Sequence, residues 1–534
     1  MHTVIVGPGP LAPGEVVAVA REGARAVLSE DARTAIKTAR THVEALAASD
    51  EPVYGVSTGF GALATRHIPA DRRTQLQRSL IRSHAAGTGP RVEDEVVRAL
   101  MLLRLSTMAT GRTGVRLETA DAYAALLNAH LTPVVREYGS LGCSGDLAPL
   151  AHCALAVTGE GEVVDRSTGD GAVRPAAEAL RDHGLTPVVL AEKEGLALIN
   201  GTDGMLGMLV LALHDLRMLL DTADLAAAMS VEGQLGTDRV FAKELMALRP
   251  HPGQATSAAH LQALLAGSEI VASHRHGDGV VQDAYSLRCT PQVHGAARDT
   301  VDHAATVAER ELASAIDNPS VLPDGTVSSH GNFHGAPLAY VLDFLAIAVA
   351  DVAGISERRT DRFLDVARSR GLPPFLADDP GVDSGAMIAQ YTQAALVAEL
   401  KRLAVPASVD SIPSSAMQED HVSLGWSAAR KLRRAVDALT RVLAIEVMVA
   451  ARGIDLRAPL APAASTGAAV GLLREHVPGP GPDRFLAPEI DAAVALVRSG
   501  ALRPRFVQLV TESGTENPDD VHTSGTGPTQ EAPR

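Results

Sequence analysis

Apolar residues recur every three or four positions in four long segments of the chain, which span residues 205–231, 338–357, 388–403 and 432–447. This spacing puts the apolar side chains on one face of an α-helix. Alanine, the best helix former, is very abundant, whereas aromatic residues, which favour strands, make up only 3% of the chain. Ala-rich faces allow helices to approach closely. The pattern therefore predicts a mainly α protein built around a packed bundle of long helices.

The first thirty residues have a different pattern. Residues 3–6 and the residues around Val27 form short β-branched runs separated by Pro and Gly, which favours two short strands. We expect a smaller N-terminal domain over residues 1–204 and a helical bundle over residues 205–512. Residues 513–534 are rich in Gly, Pro, Thr and acidic residues with almost no apolar content, which predicts a disordered tail.

The 534-residue chain carries a formal net charge of −15, from 48 Lys and Arg residues against 63 Asp and Glu residues. This balance argues against binding to nucleic acids or anionic membranes, which requires clustered basic residues. The most apolar run, 338–355, contains Asp343 and Asp351, so no membrane-spanning segment is expected. The N-terminus lacks the basic and apolar regions of a signal peptide. The cysteines are too few and too scattered for a disulfide framework or a structural zinc site, which favours a reducing, cytoplasmic compartment: Cys143, Cys153 and Cys289.

Residues 138–152 form a glycine-rich segment that leads into an apolar run. One interpretation is structural, and composition alone favours it: the glycines make a tight loop, and Ser144 or Asp146 caps a helix. The other interpretation is chemical. Because Gly145 has no side chain, its backbone nitrogen can approach the carbonyl carbon of Cys143. Ring closure there, with loss of the Ser144 hydroxyl, would give 4-methylidene-imidazole-5-one, an electrophile made from the chain itself.

Further motifs lie at residues 54–61, 80–87, 194–202, 281–289, 331–334 and 415–421. With the glycine-rich loop, they follow the order of the histidine/phenylalanine ammonia-lyase family, which the chain resembles from about residue 4 to about residue 457. The resemblance is closest to the histidine ammonia-lyases of actinobacteria, in which Cys commonly replaces the first Ala of the Ala-Ser-Gly signature. It implies a mainly α fold and a 4-methylidene-imidazole-5-one (MIO) group formed from Cys143, Ser144 and Gly145. It implies no metal and no dissociable cofactor.

The resemblance implies roles for five residues around the reacting atoms. Tyr54 would remove the β-proton of the substrate, for which a phenol with an ordinary pKa near 10 needs a stabilised anion. Arg288 and Asn200 would hold the substrate carboxylate, to which a guanidinium offers paired hydrogen bonds. Tyr285 and Gln282 would support the substrate and the electrophile. Without the resemblance, the same residues also fit a Gly-rich turn, an Asn-Gly turn and a solvated helix face.

A second set of residues is implied to select the substrate. His84, which follows Ser83, and Glu419 stand where histidine lyases contact the substrate imidazole, a ring that needs polar partners. Phe333 is implied to pack near the electrophile. A lone His on a helix is more often structural, so the identification of His84 depends on the family motif. Four positions depart from the residues common in the family: Ser57, Asp203, Leu400 and Met417.

The resemblance predicts non-oxidative elimination of ammonia from L-histidine to give trans-urocanate, the first step of histidine degradation. It also implies a homotetramer whose active sites are built from more than one subunit. Two other functions stay open. One is a lyase or 2,3-aminomutase of the same chemistry that acts on another amino acid, for which a β-amino acid product would be diagnostic. The other is a helical scaffold that has lost catalysis, in which the peptide 143–145 would keep its full mass.

Overall fold

The structure is a computed structural model. The residues that it describes are 2–49, 55, 57–58, 68–167, 169, 171–276 and 279–504. Tyr54, the predicted base, and residues 513–534, the predicted tail, lie outside the described residues.

Short strands lie around the helices. Their bounds are β1 (Thr3–Val6), β2 (Arg25–Leu28), β3 (Thr88–Arg91), β4 (Leu131–Pro133), β5 (Arg136–Tyr138), β6 (Glu162–Asp165), β7 (Ala172–Pro175), β8 (Ser320–Val321) and β9 (Val327–Ser328). Strands β1 and β2 pair in parallel, which confirms the two N-terminal strands predicted from the sequence. The others form antiparallel pairs, β3 with β5 and β8 with β9, and an antiparallel sheet ordered β4–β6–β7.

Helices dominate the described residues, which confirms the mainly α prediction. Their bounds are α1 (Pro13–Arg21), α2 (Glu30–Ala47), α3 (Arg73–His84), α4 (Asp94–Ala109), α5 (Leu117–Asn128), α6 (Leu147–Val157), α7 (Ala176–Asp182), α8 (Glu194–Ile199), α9 (Asp203–Gly233), α10 (Lys243–Ala247), α11 (Pro252–Leu265), α12 (Glu269–Ala272), α13 (Tyr285–Arg288), α14 (Thr290–Leu312), α15 (Ala336–Leu364), α16 (Met387–Leu403), α17 (Gly425–Asp455), α18 (Ala464–Arg474) and α19 (Leu486–Arg498). Helices α9, α15, α16 and α17 contain the four segments predicted from the apolar spacing.

The long helices α9, α15 and α17 start close together, at what we call the loop end of the bundle, where the loop 139–145 lies. The backbone N–H of Met205 at the start of α9 donates to Asp146, which follows the loop. The N–H of Gly335, just before α15, donates to the carbonyl of Gly142. Helix α17 begins next to Leu424, whose N–H donates to a carbonyl of the same loop. The three helices therefore leave this loop in the same direction.

The opposite end of the bundle, which we call the distal end, is where α9, α15 and α17 finish. The side-chain amide of Gln234, just after α9, donates to the carbonyl of Arg359 near the end of α15. Arg457, just after α17, donates to the carbonyl of Gly233. Because α9 contains 31 residues and a helix rises 1.5 Å per residue, about 45 Å separates the two ends.

Helix α15 is long and apolar enough to cross a membrane by length and composition. However, 56% of its most apolar window is buried inside the fold. Asp343 within this window is buried and forms an ion pair with Lys431 of α17, at 2.7 Å. Apolar residues of α15 thus face neighbouring helices, as in the core helix of a bundle.

The division into two domains at residues 204 and 205 stays a prediction. Helix α9 begins two residues earlier, at Asp203. Buried apolar residues from both sides of this position, such as Leu100 of α4 and Leu209 of α9, belong to one continuous core.

Candidate active site

The loop between β5 and α6, which carries Cys143, Ser144 and Gly145, is fixed by the starts of two long helices. The carbonyl of Gly142 accepts hydrogen bonds from the hydroxyl of Ser423 at 2.7 Å and from the N–H of Gly335 at 3.0 Å. The hydroxyl of Ser423 in turn accepts from the N–H of Gly425. A long loop of this kind would be mobile on its own. Here the bundle holds it in one position.

Gly145 lies in a place that no other residue fits. Its φ is +77°, in the left-handed region, and a Cβ at this position would lie 2.1 Å from the carbonyl oxygen of Gly201. The next residue, Asp146, donates its N–H to the same Gly201 carbonyl at 2.7 Å. The backbone around Gly145 therefore packs directly against the chain between α8 and α9.

Asp146 stands at the N-terminus of α6, where the structural interpretation of the sequence expects a helix cap. Its carboxylate does not cap α6. It accepts instead from the hydroxyl of Ser140 at 2.8 Å and from the backbone N–H groups of Gly204 and Met205, each at 2.9 Å. Asp146 is completely buried, and this burial raises its pKa to about 7 in spite of those donors. The side chain thus joins the loop to the start of α9.

Glu419 lies against the loop, although the two are far apart in sequence. The hydroxyl of Ser144 donates to Oε1 of Glu419 at 2.8 Å. The thiol of Cys143 and the hydroxyl of Ser414 both donate to Oε2, at 3.1 and 3.0 Å. A carboxylate can accept about four hydrogen bonds, so Glu419 can also bind a further donor.

His84, at the C-terminus of α3, lies within the electrostatic influence of Glu419. Burial lowers the pKa of His84, while a hydrogen bond to the Leu80 carbonyl and the negative charge of Glu419 act in the opposite direction. Nδ1 of His84 lies 2.9 Å from the Leu80 carbonyl, which can only accept. In the tautomer that donates from Nδ1 to this carbonyl, the neutral ring offers Nε2 as an acceptor.

Asn200 and Phe333 also lie at the loop end. Asn200 ends α8 beside Gly201, and its amide donates to the carbonyl of Asn318 at 2.9 Å. Oδ1 of Asn200 is buried, with no hydrogen-bond partner within the described residues. Phe333 is half-buried and lies two residues before Gly335, which binds the loop. The sequence-predicted residues Cys143, Ser144, Gly145, His84, Asn200, Phe333 and Glu419 are thus brought to one end of the bundle.

Gln282, Tyr285 and Arg288 lie at the distal end. Asp283, between the first two, accepts from the backbone N–H of Thr237, just beyond the end of α9, at 2.7 Å. The guanidinium of Arg288 lies 4.7 Å from the centre of the Tyr285 ring, and the ring is 71% exposed. Within the described residues, Nε of Arg288 is buried without a hydrogen-bond partner. The pair presents an exposed aromatic ring with a half-buried guanidinium beside it.

One chain does not bring these two groups together. Helix α14 starts at Thr290, directly after α13, and runs back through the bundle for 23 residues. Near its end, Glu311 accepts from the hydroxyl of Thr202, beside Asn200, at 2.6 Å. At 1.5 Å per residue, α14 separates Arg288 from the loop end by about 35 Å. The chain therefore carries two half-sites, one at each end of the bundle.

Two serines and one arginine contact the predicted site residues but are not singled out by the sequence motifs. Ser414 binds Glu419, and Ser423 binds the loop. Arg104 is completely buried and donates to the carbonyls of Asn200, at 2.8 Å, and Ile316, at 2.8 Å. A serine or an arginine carries no sequence signal for such contacts, because the partners are fixed only by the fold.

The structure describes all four positions that depart from the family. Asp203 forms a buried ion pair with Arg104 at 3.2 Å. Leu400 is buried in α16, and Met417 is 70% exposed. Ser57 is buried. Within the described residues, no group of three or more His, Cys, Asp or Glu side chains is arranged to hold a metal ion.

Comparison with known proteins gives one family throughout. The model of the aromatic amino acid lyase family matches residues 11–475. The chain is 67% identical to a histidine ammonia-lyase of Streptomyces avermitilis over 503 residues, which cover 94% of this chain and 98% of the relative. It is 66% identical to that of Streptomyces griseus over 505 residues, with the same coverage of both chains.

Solved structures point to the same family. A crystal structure of histidine ammonia-lyase from Trypanosoma cruzi is similar with a TM-score of 0.87 and 37% identity, covering 98% of this chain and all of the other. A tyrosine aminomutase from Streptomyces globisporus is similar with a TM-score of 0.89 and 34% identity, covering 96% of this chain and 99% of the other. The chain belongs to the aromatic amino acid lyase family.

Proposed function

We propose that this chain is a histidine ammonia-lyase, which eliminates ammonia from L-histidine to give trans-urocanate. The observation that carries the proposal is the position of Glu419, which accepts hydrogen bonds from Cys143 and Ser144. The negative charge of Glu419 also acts on His84. An acid and a neutral imidazole together offer acceptors for the N–H groups of a substrate imidazole. Relatives named histidine ammonia-lyase at 66–67% identity support the same substrate.

The loop fits the formation of an MIO group. Gly145 has the left-handed φ and the lack of space that only glycine tolerates, and the loop carbonyl of Gly142 is held by two donors. Such an anchored backbone favours approach of the Gly145 nitrogen to the Cys143 carbonyl carbon. When formed, the MIO group supplies an electrophile that turns the substrate amine into a better leaving group.

The side chains of this chain bind and orient the substrate. Arg288, with an Nε that has no partner within the described residues, would pair with the substrate carboxylate through two parallel hydrogen bonds. Asn200 would bind the same carboxylate through its amide. Glu419 and His84 would hold the imidazole ring, so that the β-carbon faces the base. Phe333 would exclude water from one side of the site.

Tyr54 is proposed as the base that accepts the β-proton on its phenolate oxygen. A positioned general base contributes about two to four powers of ten to a rate. Tyr285 and Gln282 would support the substrate from the distal half-site. The Arg288 guanidinium beside the Tyr285 ring keeps both side chains in place for this task.

The two half-sites support a homotetramer with shared active sites. Because Arg288 and Ser144 lie at opposite ends of the bundle, we infer that another copy of the chain supplies Gln282, Tyr285 and Arg288. Large apolar side chains stand exposed in a row on α15, at spacings of four and three residues: Tyr340, Phe344 and Ile347. Ile388 and Tyr391 on the neighbouring α16 are exposed as well. Large exposed apolar side chains on two adjacent helices are typical of an interface between subunits.

We also propose a cytoplasmic location and the division into an N-terminal domain and a helical bundle. The three cysteines are all free, and two of them are buried, which suits a reducing compartment. The buried, ion-paired face of α15 supports a bundle surrounded by water.

The test is to mix the purified protein with L-histidine, L-tyrosine or L-phenylalanine and to follow the ultraviolet absorbance of a conjugated product. Urocanate from L-histidine alone, abolished by Ser144→Ala, would support the proposal. A product from another amino acid would overturn the assigned roles of His84 and Glu419. A β-amino acid product would indicate an aminomutase, the activity of one structural neighbour. A peptide 143–145 at full mass would indicate a scaffold without the electrophile.

A further inference from the structure

The side chain of Cys143 has no part in ring closure, which uses only its carbonyl group, yet it makes a specific contact. Its thiol donates to Oε2 of Glu419 at 3.1 Å, and the hydroxyl of Ser414 donates to the same oxygen at 3.0 Å. We propose that Cys143 and Ser414 are positioning residues that hold Oε2 of Glu419 and so aim Oε1 at the imidazole of the substrate. This inference rests on the proposed function.

The two carboxylate oxygens of Glu419 accept hydrogen bonds from different donors. Before ring closure, Oε1 accepts from the hydroxyl of Ser144 at 2.8 Å. In ring closure, the Gly145 nitrogen bonds to the Cys143 carbonyl carbon, whose oxygen leaves as water with the amide protons of Ser144 and Gly145. The Ser144 hydroxyl leaves as a second water with the α-proton of Ser144. The product has a C=N bond and an exocyclic methylene, and two water molecules are lost without any oxidant.

The loss of that hydroxyl removes the partner of Oε1 and leaves those of Oε2. Cys143 and Ser414 keep their Sγ–H and Oγ–H groups, because neither atom takes part in the ring. Oε1 then becomes the acceptor that is available to a substrate N–H, at the place where the Ser144 hydroxyl had been. Formation of the electrophile and opening of the substrate contact are thus one event.

The thiol of Cys143 stays protonated at neutral pH and can donate a hydrogen bond. Cys143 is buried, and burial together with the negative charge of Glu419 raises its pKa to about 12. A thiol is a weak donor towards neutral acceptors, but a carboxylate strengthens such a bond. Cys143 therefore stays protonated and keeps its contact with Oε2 over the neutral range.

The backbone of Glu419 is fixed by an unusual turn. Ser414 and Glu419 exchange two backbone hydrogen bonds, at 2.8 and 3.3 Å. Between them, Ser415, Ala416 and Met417 have φ values of 50°, 53° and 70°, which place three consecutive side-chain-bearing residues in the left-handed region. This conformation is disfavoured for residues with a Cβ and persists only where the surroundings determine it. With the backbone fixed in this way, the position of the Glu419 carboxylate depends on the torsions of its own side chain, which the two donors to Oε2 restrict.

The experiment compares Cys143→Ala, Cys143→Ser and Ser414→Ala with the unmodified protein. We measure KM and kcat for L-histidine, the mass of the peptide that contains residues 143–145, and the thermal midpoint. Cys153→Ala is the matched control, because Cys153 is a completely buried thiol in α6 that makes no contact with Glu419. Cys143→Ala removes the hydrogen-bond donor to Oε2 of Glu419, and Cys143→Ser restores a donor of similar size.

We expect Cys143→Ala and Ser414→Ala to lose two water molecules from the peptide, as the unmodified protein does, and to raise KM about three- to tenfold, the effect of one modest hydrogen bond. Cys153→Ala should keep the original KM, and Cys143→Ser should raise KM less than Cys143→Ala does, because it restores a hydrogen-bond donor to Oε2. In a Glu419→Gln background, Cys143→Ala should change KM less than it does alone, because its effect passes through Glu419.

Three outcomes would overturn the inference. These are an unchanged KM in Cys143→Ala, a peptide of full mass in that variant, or a KM in Cys143→Ser as high as that in Cys143→Ala. If the unmodified protein itself keeps the full peptide mass and yields no urocanate, the proposed function fails, and the variants are not needed to show it.

Discussion

The hydroxyl oxygen of Ser144 lies 2.8 Å from Oε1 of Glu419, although 275 residues separate them along the chain. Helices α15 and α17 both begin beside the loop, and the segment between α16 and α17 carries Glu419 to it. The residue proposed to select the substrate is thereby held against the residues proposed to form the electrophile. A change at either residue should consequently be read in two assays, the mass of the loop peptide and the kinetics with L-histidine.

Glu419→Gln keeps the size of the side chain but removes its charge. We expect kcat/KM for L-histidine to fall about 10- to 100-fold, since a hydrogen bond to a charged group contributes about 1.5–3 kcal/mol. The loop peptide should still lose two water molecules. Glu475→Gln, at an exposed position after α18, is the control and should leave kcat/KM unchanged. An undiminished kcat/KM in Glu419→Gln would contradict the assigned role.

Gly145→Ala tests the close approach to Gly201. The new Cβ would meet the Gly201 carbonyl oxygen at 2.1 Å, so the loop must move and the ring should not form. Gly267 has the same φ of +77°, but a Cβ there would meet nothing within 4 Å. Gly267→Ala should therefore show only the backbone cost, about 1–2 kcal/mol of unfolding free energy, and keep the dehydrated peptide. Mass spectrometry and thermal unfolding separate the two effects, and a dehydrated peptide in Gly145→Ala would refute this reasoning.

The raised pKa of the buried Asp146 predicts that the stability of the fold depends on pH. Burial raises its pKa to about 7 in the folded chain, whereas an Asp in an unfolded chain titrates near 4. Between about pH 4 and pH 7 the folded state keeps a proton that the unfolded state has lost, so this contribution to the unfolding free energy is complete below pH 4 and is lost as the pH rises through 7.

Asp146→Asn removes this titration. The thermal midpoint of the variant, measured from pH 4 to pH 8, should fall less steeply with rising pH than that of the unmodified protein. Asp31→Asn, at an exposed position in α2, should keep the original slope. Equal slopes for Asp146→Asn and the unmodified protein would show that Asp146 is ionised in the fold throughout this range.

Much of the fold could be predicted because it depends on local pattern. The three- and four-residue spacing of apolar positions located α9 and α15, since a helix long enough to cross the bundle must present one apolar face along its whole length. The strands β1 and β2 followed from β-branched runs between Pro and Gly. The residues of the loop end followed from motif resemblance, which names residues but not their contacts.

The rest depends on contacts between distant segments, for which sequence spacing carries no signal. Asp146 is placed where a helix cap is expected, yet its carboxylate binds the start of α9. Ser414 contacts Glu419 across a turn in which three residues adopt left-handed φ values, which the residue types Ser, Ala and Met do not indicate. Likewise, the motif of Arg288 gives no hint that α14 carries it to the opposite end of the bundle from Ser144.

The separation of Ser144 and Arg288 gives the sharpest prediction. Ser144→Ala destroys the loop half-site and Arg288→Ala the distal half-site, so each variant should be nearly inactive alone. Co-expressed in equal amounts, the two chains should recover about a quarter of the normal activity, because random mixing joins an intact loop to an intact Arg288 of another copy in that fraction of sites. The control is Ser144→Ala with Asn200→Ala, which both damage the loop half-site and should recover nothing. No activity in the first pair would show that each site is built within a single chain, whereas activity in the control pair would show that Ser144 and Asn200 do not belong to the same half-site.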